Sequence, residues 1–260
     1  MYCGEIVRVL EDVWAPDIAC DWDNVGLLIG DREKEVTKVM LALDATDDII
    51  QQAVESGVDM LITHHPLIFH GMTRITADDF TGRRVLRLIQ NHIAYYAMHT
   101  NFDVRGMATE AAKRLQLSDC QVLEYTGEIE GTVLGIGQMG ELPCSMTLQQ
   151  CADKVKQDFA LEHVSVFGDL DTKVKKLAVS PGSGKSEIAQ AVKLGAEVLV
   201  TGDIDHHDGL DAVAQGLMIV DAGHYGLEHI FSDYMECFLK EKLEQVLILK
   251  GKETAPFQVL

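Results

Sequence analysis

The chain has 260 residues, 47% of them hydrophobic, enough to bury one large α/β domain or two lobes of ordinary size. Its formal net charge of -19, from 22 Lys and Arg against 41 Asp and Glu, excludes general attraction to nucleic acid or to an anionic membrane surface. No apolar run is long enough to span a bilayer, charged residues break up the N-terminus from Glu5 to Asp12, and the six cysteines form no C-x-x-C pair, so a cytoplasmic protein with reduced thiols is expected.

Runs rich in β-branched residues alternate with helix-patterned stretches. In chain order the pattern predicts strand 36–43, helix 47–55, strand 58–63, helix 83–91, strand 93–99 and helix 109–115. It continues with helix 148–159, strands 164–167 and 174–179, helix 186–193, strand 198–201, helix 210–214, strand 217–220 and helix 228–240. The Thr147 to Gln150 spacing is that of a capping box opening the helix at 148. Such alternation is the mark of an α/β protein with mixed sheets flanked by helices.

Residues 36–65 align without a gap on residues 174–203, at a constant offset of 138. Identities fall at Val36, Lys38, Ile50, Gln52, Ala53, Val54, Gly57, Leu61 and Thr63. Both copies read strand, turn, helix, Gly, strand, and the shared Gly marks the end of the helix in each. An internal duplication into two similar lobes is therefore expected, over 1–126 and 127–260, with the last helix and strand able to pack back on the first lobe.

In open α/β sheets functional residues collect beyond the carboxyl ends of strands. Those ends read LITHHP (61–66), AMHTNFD (97–103), LVTGDIDHHD (199–208) and DAGHYGLEH (221–229). Imidazole together with carboxylate is a donor set suited to Zn, Mn, Fe or Ni. His64 and His65 leave one strand end side by side, and His224 and Glu228 are four apart, on one face of a helix. His99 and His229 are placed to orient ligands from outside the coordination sphere.

PGSGKS (181–186) resembles a phosphate-binding loop, but the Walker pattern needs Gly five residues before Gly184, where Val179 stands. A Gly-rich turn opening a helix is the first reading, and an anion site using Lys185 the second. In TGDIDHH, Asp203 and His207 are candidates for a substrate pocket in the second lobe.

The motifs WDNVGLLIG (22–30), ITHHPLIF (62–69), HTNFD (99–103), SPGSGKSEI (180–188), TGDIDHH (201–207) and DAGHYGLE (221–228) cover the chain from end to end. Together they resemble the GTP cyclohydrolase 1 type 2 homologue family, the NIF-three-like dinuclear metal proteins, in its short bacterial form. The resemblance implies a NIF-three-like fold in which His64, His65, Asp103, His224 and Glu228 ligate two divalent metal ions, with the carboxylates able to bridge. It also implies a ring-shaped homohexamer. The function expected is that of a metal-dependent hydrolase acting on a nucleotide-like or phosphorylated small molecule; the alternative is a non-catalytic metal-binding or regulatory assembly.

Overall fold

The computed structural model describes residues 1–259, which divide into two compact units. The first comprises 1–102 and 231–254, the second 103–230 and 255 onward. The strands in chain order are β1 (Gly26–Ile29), β2 (Lys38–Ala42), β3 (Met60–Thr63), β4 (Ala94–Ala97), β5 (Ser118–Ile129) and β6 (Thr132–Thr147). They continue with β7 (Ser165–Phe167), β8 (Lys173–Ser183), β9 (Val198–Gly202), β10 (Met218–Asp221) and β11 (Leu247–Lys250). No helix among the described residues is long and apolar enough to cross a membrane.

The first unit is built on a five-stranded sheet of order β1-β4-β3-β2-β11. β11, β2, β3 and β4 run parallel, and β1 closes the edge antiparallel to β4. Both β3 (MLIT) and β4 (AYYA) are buried throughout, as strands covered on both faces must be. The crossover helix Asp47–Ser56 starts at Thr46, whose hydroxyl accepts from the Ile49 amide, and stops at Gly57 in the left-handed region. A second helix, Phe80–Gln90, begins three residues before the expected start, because the Asp79 carboxylate caps it by accepting from the Gly82 amide.

The second unit carries a six-stranded sheet of order β5-β6-β8-β9-β10-β7. Its centre, β8, β9 and β10, is parallel, and β7 closes one edge antiparallel to β10. β5 and β6 form a long hairpin around Glu130 and Gly131, both at positive φ, as a tight two-residue turn requires. The capping box is present: the Thr147 hydroxyl accepts from the Gln150 amide and the Gln150 side chain accepts from the Thr147 amide.

The units divide after Phe102, whereas the expected boundary at 126 falls inside β5, a strand that belongs wholly to the second sheet. Most of the helix Ile230–Lys242, and all of β11, belong to the first unit, where β11 lies parallel to β2. Helix Cys3–Glu11 and strands β1, β5, β6 and β11 were not among the expected elements.

The offset of 138 survives in hydrogen bonds. Val39, Met40 and Leu41 of β2 face Met60, Leu61 and Ile62 of β3, and Leu177, Ala178 and Val179 of β8 face Val198, Leu199 and Val200 of β9. The Gly57 amide donates to the carbonyls of Ala53 and Val54, and the Gly195 amide to those of Ala191 and Val192. Asp59 accepts from the Thr37 and Lys38 amides at 2.8 and 3.1 Å, and Glu197 from the Lys175 and Lys176 amides at 2.5 and 3.0 Å. Every one of these partners has its counterpart 138 residues on, the result a duplication predicts.

Candidate metal centre

In the first unit the strand pairing runs past β3: the His64 amide donates to the Ala42 carbonyl and the His65 amide to that of Leu43. Beneath them Thr63 is held by Tyr95, hydroxyl to hydroxyl, at 2.6 Å. His64 is fully buried, and its Nδ1 lies 2.9 Å from the Met98 carbonyl oxygen. His65 is partly exposed, with Nδ1 2.9 Å from the Asp44 carboxylate at the end of β2. His99, beyond β4, has Nδ1 3.0 Å from Asp23. The three histidines each offer a ring nitrogen within 4.8 Å of the others.

A carbonyl or carboxylate oxygen facing Nδ1 requires that nitrogen to be the N–H donor, so the lone pair of each ring resides on Nε2. This is the arrangement found around metal-ligating histidines. Asp23 is itself well anchored. Burial pushes its carboxyl up, but hydrogen bonds from His99 and from the Thr100 amide and hydroxyl outweigh this and hold it at about 2. It is therefore an ionised acceptor.

Asp44 is fixed from behind by a residue with no sequence motif. Oε1 of Glu253 accepts from the Leu43 and Asp44 amides at 2.6 and 3.3 Å, pinning the end of β2.

In the second unit Asp103 opens a turn of π-helix, Asp103–Met107, a local irregularity frequent at functional sites. His224 and Glu228 begin and end one short helix, with Gly223 at positive φ before it. His224 repeats the pattern of the first unit: Nδ1 lies 2.8 Å from Asp203, and Nε2 lies 2.9 Å from Oε2 of the buried Glu228. With Nδ1 as donor, an Nε2 lone pair and a carboxylate oxygen face each other, two acceptors that only a cation or a proton can reconcile. Imidazole nitrogen and carboxylate oxygen are both donors that bind a divalent ion at about 2.0–2.2 Å. The donor set thus fits a divalent metal.

Glycine shapes this corner. Gly182, at φ +80, backs onto Glu228, and a Cβ there would collide with Oε1. A Cβ on Gly202 would collide with the His224 amide nitrogen. PGSGKS is thus the end of β8 rather than a phosphate loop: the strand runs to Ser183, and the next helix starts at Ile188. Lys185 is held by Asp205 and Asp208 at 2.9 and 2.6 Å. His207 is exposed on helix His206–Ala214, beside His206. His229 turns its Nδ1 to the Gly226 carbonyl of its own turn.

Asp23, Asp44, Gly182 and Glu253 are not among the residues expected from the sequence. Asp23 lies within the WDNVG motif, Asp44 directly follows the predicted strand 36–43 and Gly182 lies within SPGSGKSEI, so these three had a local signal. Glu253 had none.

Comparisons with known proteins agree along the whole chain. A family model described as Duf34/NIF3 (NGG1p interacting factor 3) matches residues 1–255. A Clostridium perfringens protein named GTP cyclohydrolase 1 type 2 homolog is 34% identical over 263 residues, spanning 100% of both chains. Among solved structures, a Bacillus cereus protein related to NIF3 matches with a TM-score of 0.94 at 28% identity, over 100% of this chain and 99% of that one. Reduced HcgD from Methanocaldococcus jannaschii matches with a TM-score of 0.84 at 29% identity, over 97% and 98%.

Proposed function

We propose a function from one premise: the chain belongs to the Duf34/NIF3 family. In this reading it is a metal-dependent hydrolase of a nucleotide-like or phosphorylated small molecule, and His64, His65, Asp103, His224 and Glu228 are the donors to two divalent ions. The observation that carries it is the shared orientation of the imidazoles. His64, His65 and His224 each direct Nδ1 to a carbonyl or carboxylate oxygen, which leaves Nε2 as the basic nitrogen.

The roles of the chain's own groups follow. The Met98 carbonyl, Asp44 and Asp203 hold the rings in the required tautomer and raise their basicity. Glu228, with Gly182 behind it, brings a buried carboxylate to His224. When bound, a pair of such ions supplies an activated water and stabilises the charge that develops on the attacked group. Asp203 is assigned to His224 and secondarily to a substrate pocket with His207, while Lys185 is neutralised by its two aspartates. The proposal includes a homohexamer in the cytoplasm, as the family resemblance implies.

The test is elemental analysis and a hydrolysis screen over a metabolite panel, on protein reconstituted separately with Mn, Fe, Zn and Ni. About two ions per chain and metal-dependent turnover are expected. Stoichiometric metal without turnover of any compound would favour the non-catalytic assembly, and absence of bound metal would remove the reading altogether.

A further inference from the structure

Beside His65 the first unit encloses a pocket of about 480 Å³. Its wall combines aromatic and acidic surface. Phe69 and Phe80, 40% and 58% exposed, share it with the carboxylates of Asp44 and Asp79. Among its described lining residues Arg84 is the only Lys or Arg, and it is already committed. Its Nε and Nη2 donate to the Asp47 carboxylate at 3.0 and 3.2 Å, and its guanidinium lies 5.2 Å from the centre of the Phe80 ring.

We propose that this pocket receives the part of the substrate that presents a planar edge of N–H donors, and that it rejects phosphate. The inference rests on the metal centre proposed above, since His65 forms part of the pocket wall. Arg84 shows the combination at the pocket's edge: its flat N–C–N group lies 5.2 Å from the centre of the Phe80 ring while its donors pair with Asp47, a carboxylate just outside the lining. The pocket offers a ligand the same combination through Phe69 and the carboxylates of Asp44 and Asp79. Carboxylates accept N–H donors strongly, and an aromatic face adds attraction for a flat or cationic group. A phosphate entering here would meet those two carboxylates, with Arg84 already paired and His65 and His70 the other basic side chains among the described lining residues, so the wall disfavours the phosphate of a nucleotide-like substrate. Two sources carry this chemistry: a guanidinium cation, and a neutral heterocycle with an amino substituent.

Trp22 provides the readout, because its exposed ring lies 5.8 Å from Phe69 while Trp14 is buried. The full-length protein is titrated with agmatine, guanosine and inorganic phosphate, following Trp fluorescence and confirming saturation by calorimetry. Agmatine or guanosine is expected to saturate and phosphate not to; whichever of the first two binds identifies the source. Asp79→Asn keeps the helix cap while removing the charge, and Phe69→Leu keeps apolar bulk while removing the ring. Each is expected to weaken binding about fivefold with metal content unchanged. Saturation by phosphate at lower concentration than either other probe, no saturation by agmatine or guanosine, or wild-type affinity in both variants would overturn the proposal. Elemental analysis of the same samples judges the metal centre separately, so the two readings fail independently.

Discussion

The corner after β3 and the corner after β9 stand at the same place in two units of matched register, yet they carry different side chains. Thr63 and Thr201 hold equivalent places near the ends of β3 and β9, both fully buried. The next two residues are His64 and His65 in the first unit, Gly202 and Asp203 in the second. The first corner presents imidazoles directly. The second leaves no space for a Cβ at 202 and uses Asp203, at φ +59, to orient an imidazole from the following strand's loop, His224. A repeated scaffold thus keeps its hydrogen bonds and helix stops while its chemistry moves outward by one residue shell.

The largest expected effect separates the two corners. His64→Ala removes one of the proposed donors, and we expect the purified variant to retain little of the wild-type metal content by elemental analysis. Asp203→Ala removes only the acceptor behind His224, so metal affinity should fall about 10- to 100-fold, read by competition with a chelator. Equal losses in the two variants would break the distinction between a donating and an orienting corner.

Next in size, Gly202→Ala should destabilise the fold by roughly 1–3 kcal/mol through overpacking against the His224 amide. A urea melt measures it. An unchanged midpoint would mean that the second corner can accept a side chain, and that its lack of histidine is not steric.

The smallest effect tests the shared scaffold. Asp59→Ala and Glu197→Ala each strip one carboxylate from two strand amides, and because these hydrogen bonds lie largely at the surface each should cost only about 0.5–1.5 kcal/mol. A cost in one and none in the other would undo the equivalence of the units. Asp59 adds a pH signature. Burial raises its carboxyl, but hydrogen bonds from Thr37 and Lys38 more than offset this, so it lies below its ordinary value. A carboxylate lowered on folding contributes stability that is complete above its unfolded value near 3.9 and is lost as pH falls through the folded value. The stability gap between wild type and Asp59→Ala should therefore narrow below about pH 4.

Much of the fold was legible in the sequence because its centre is built from local rules. The copies at 36–65 and 174–203 carry their own strand period, helix stop and buried threonine, so both crossover units could be read without knowing what they pack on. Other parts were hidden. β5 is an edge strand whose side chains are mostly exposed, so it shows no apolar alternation to read, and the domain boundary was set within it. β11 is four residues long and two of them are exposed.

The sequence by itself determined the α/β class, the repeated unit and which imidazoles and carboxylates stand at strand ends, because periodicity and turn chemistry act between near neighbours. Only the tertiary structure decided how those groups are oriented. Asp23 reaches His99 across 76 residues, Asp44 meets His65 across 21, and Glu253 pins the end of β2 from 210 residues away. Such partners leave no local pattern, because what selects them is the geometry of strands brought side by side, and it is that geometry that turns histidines in a sequence into a candidate metal centre.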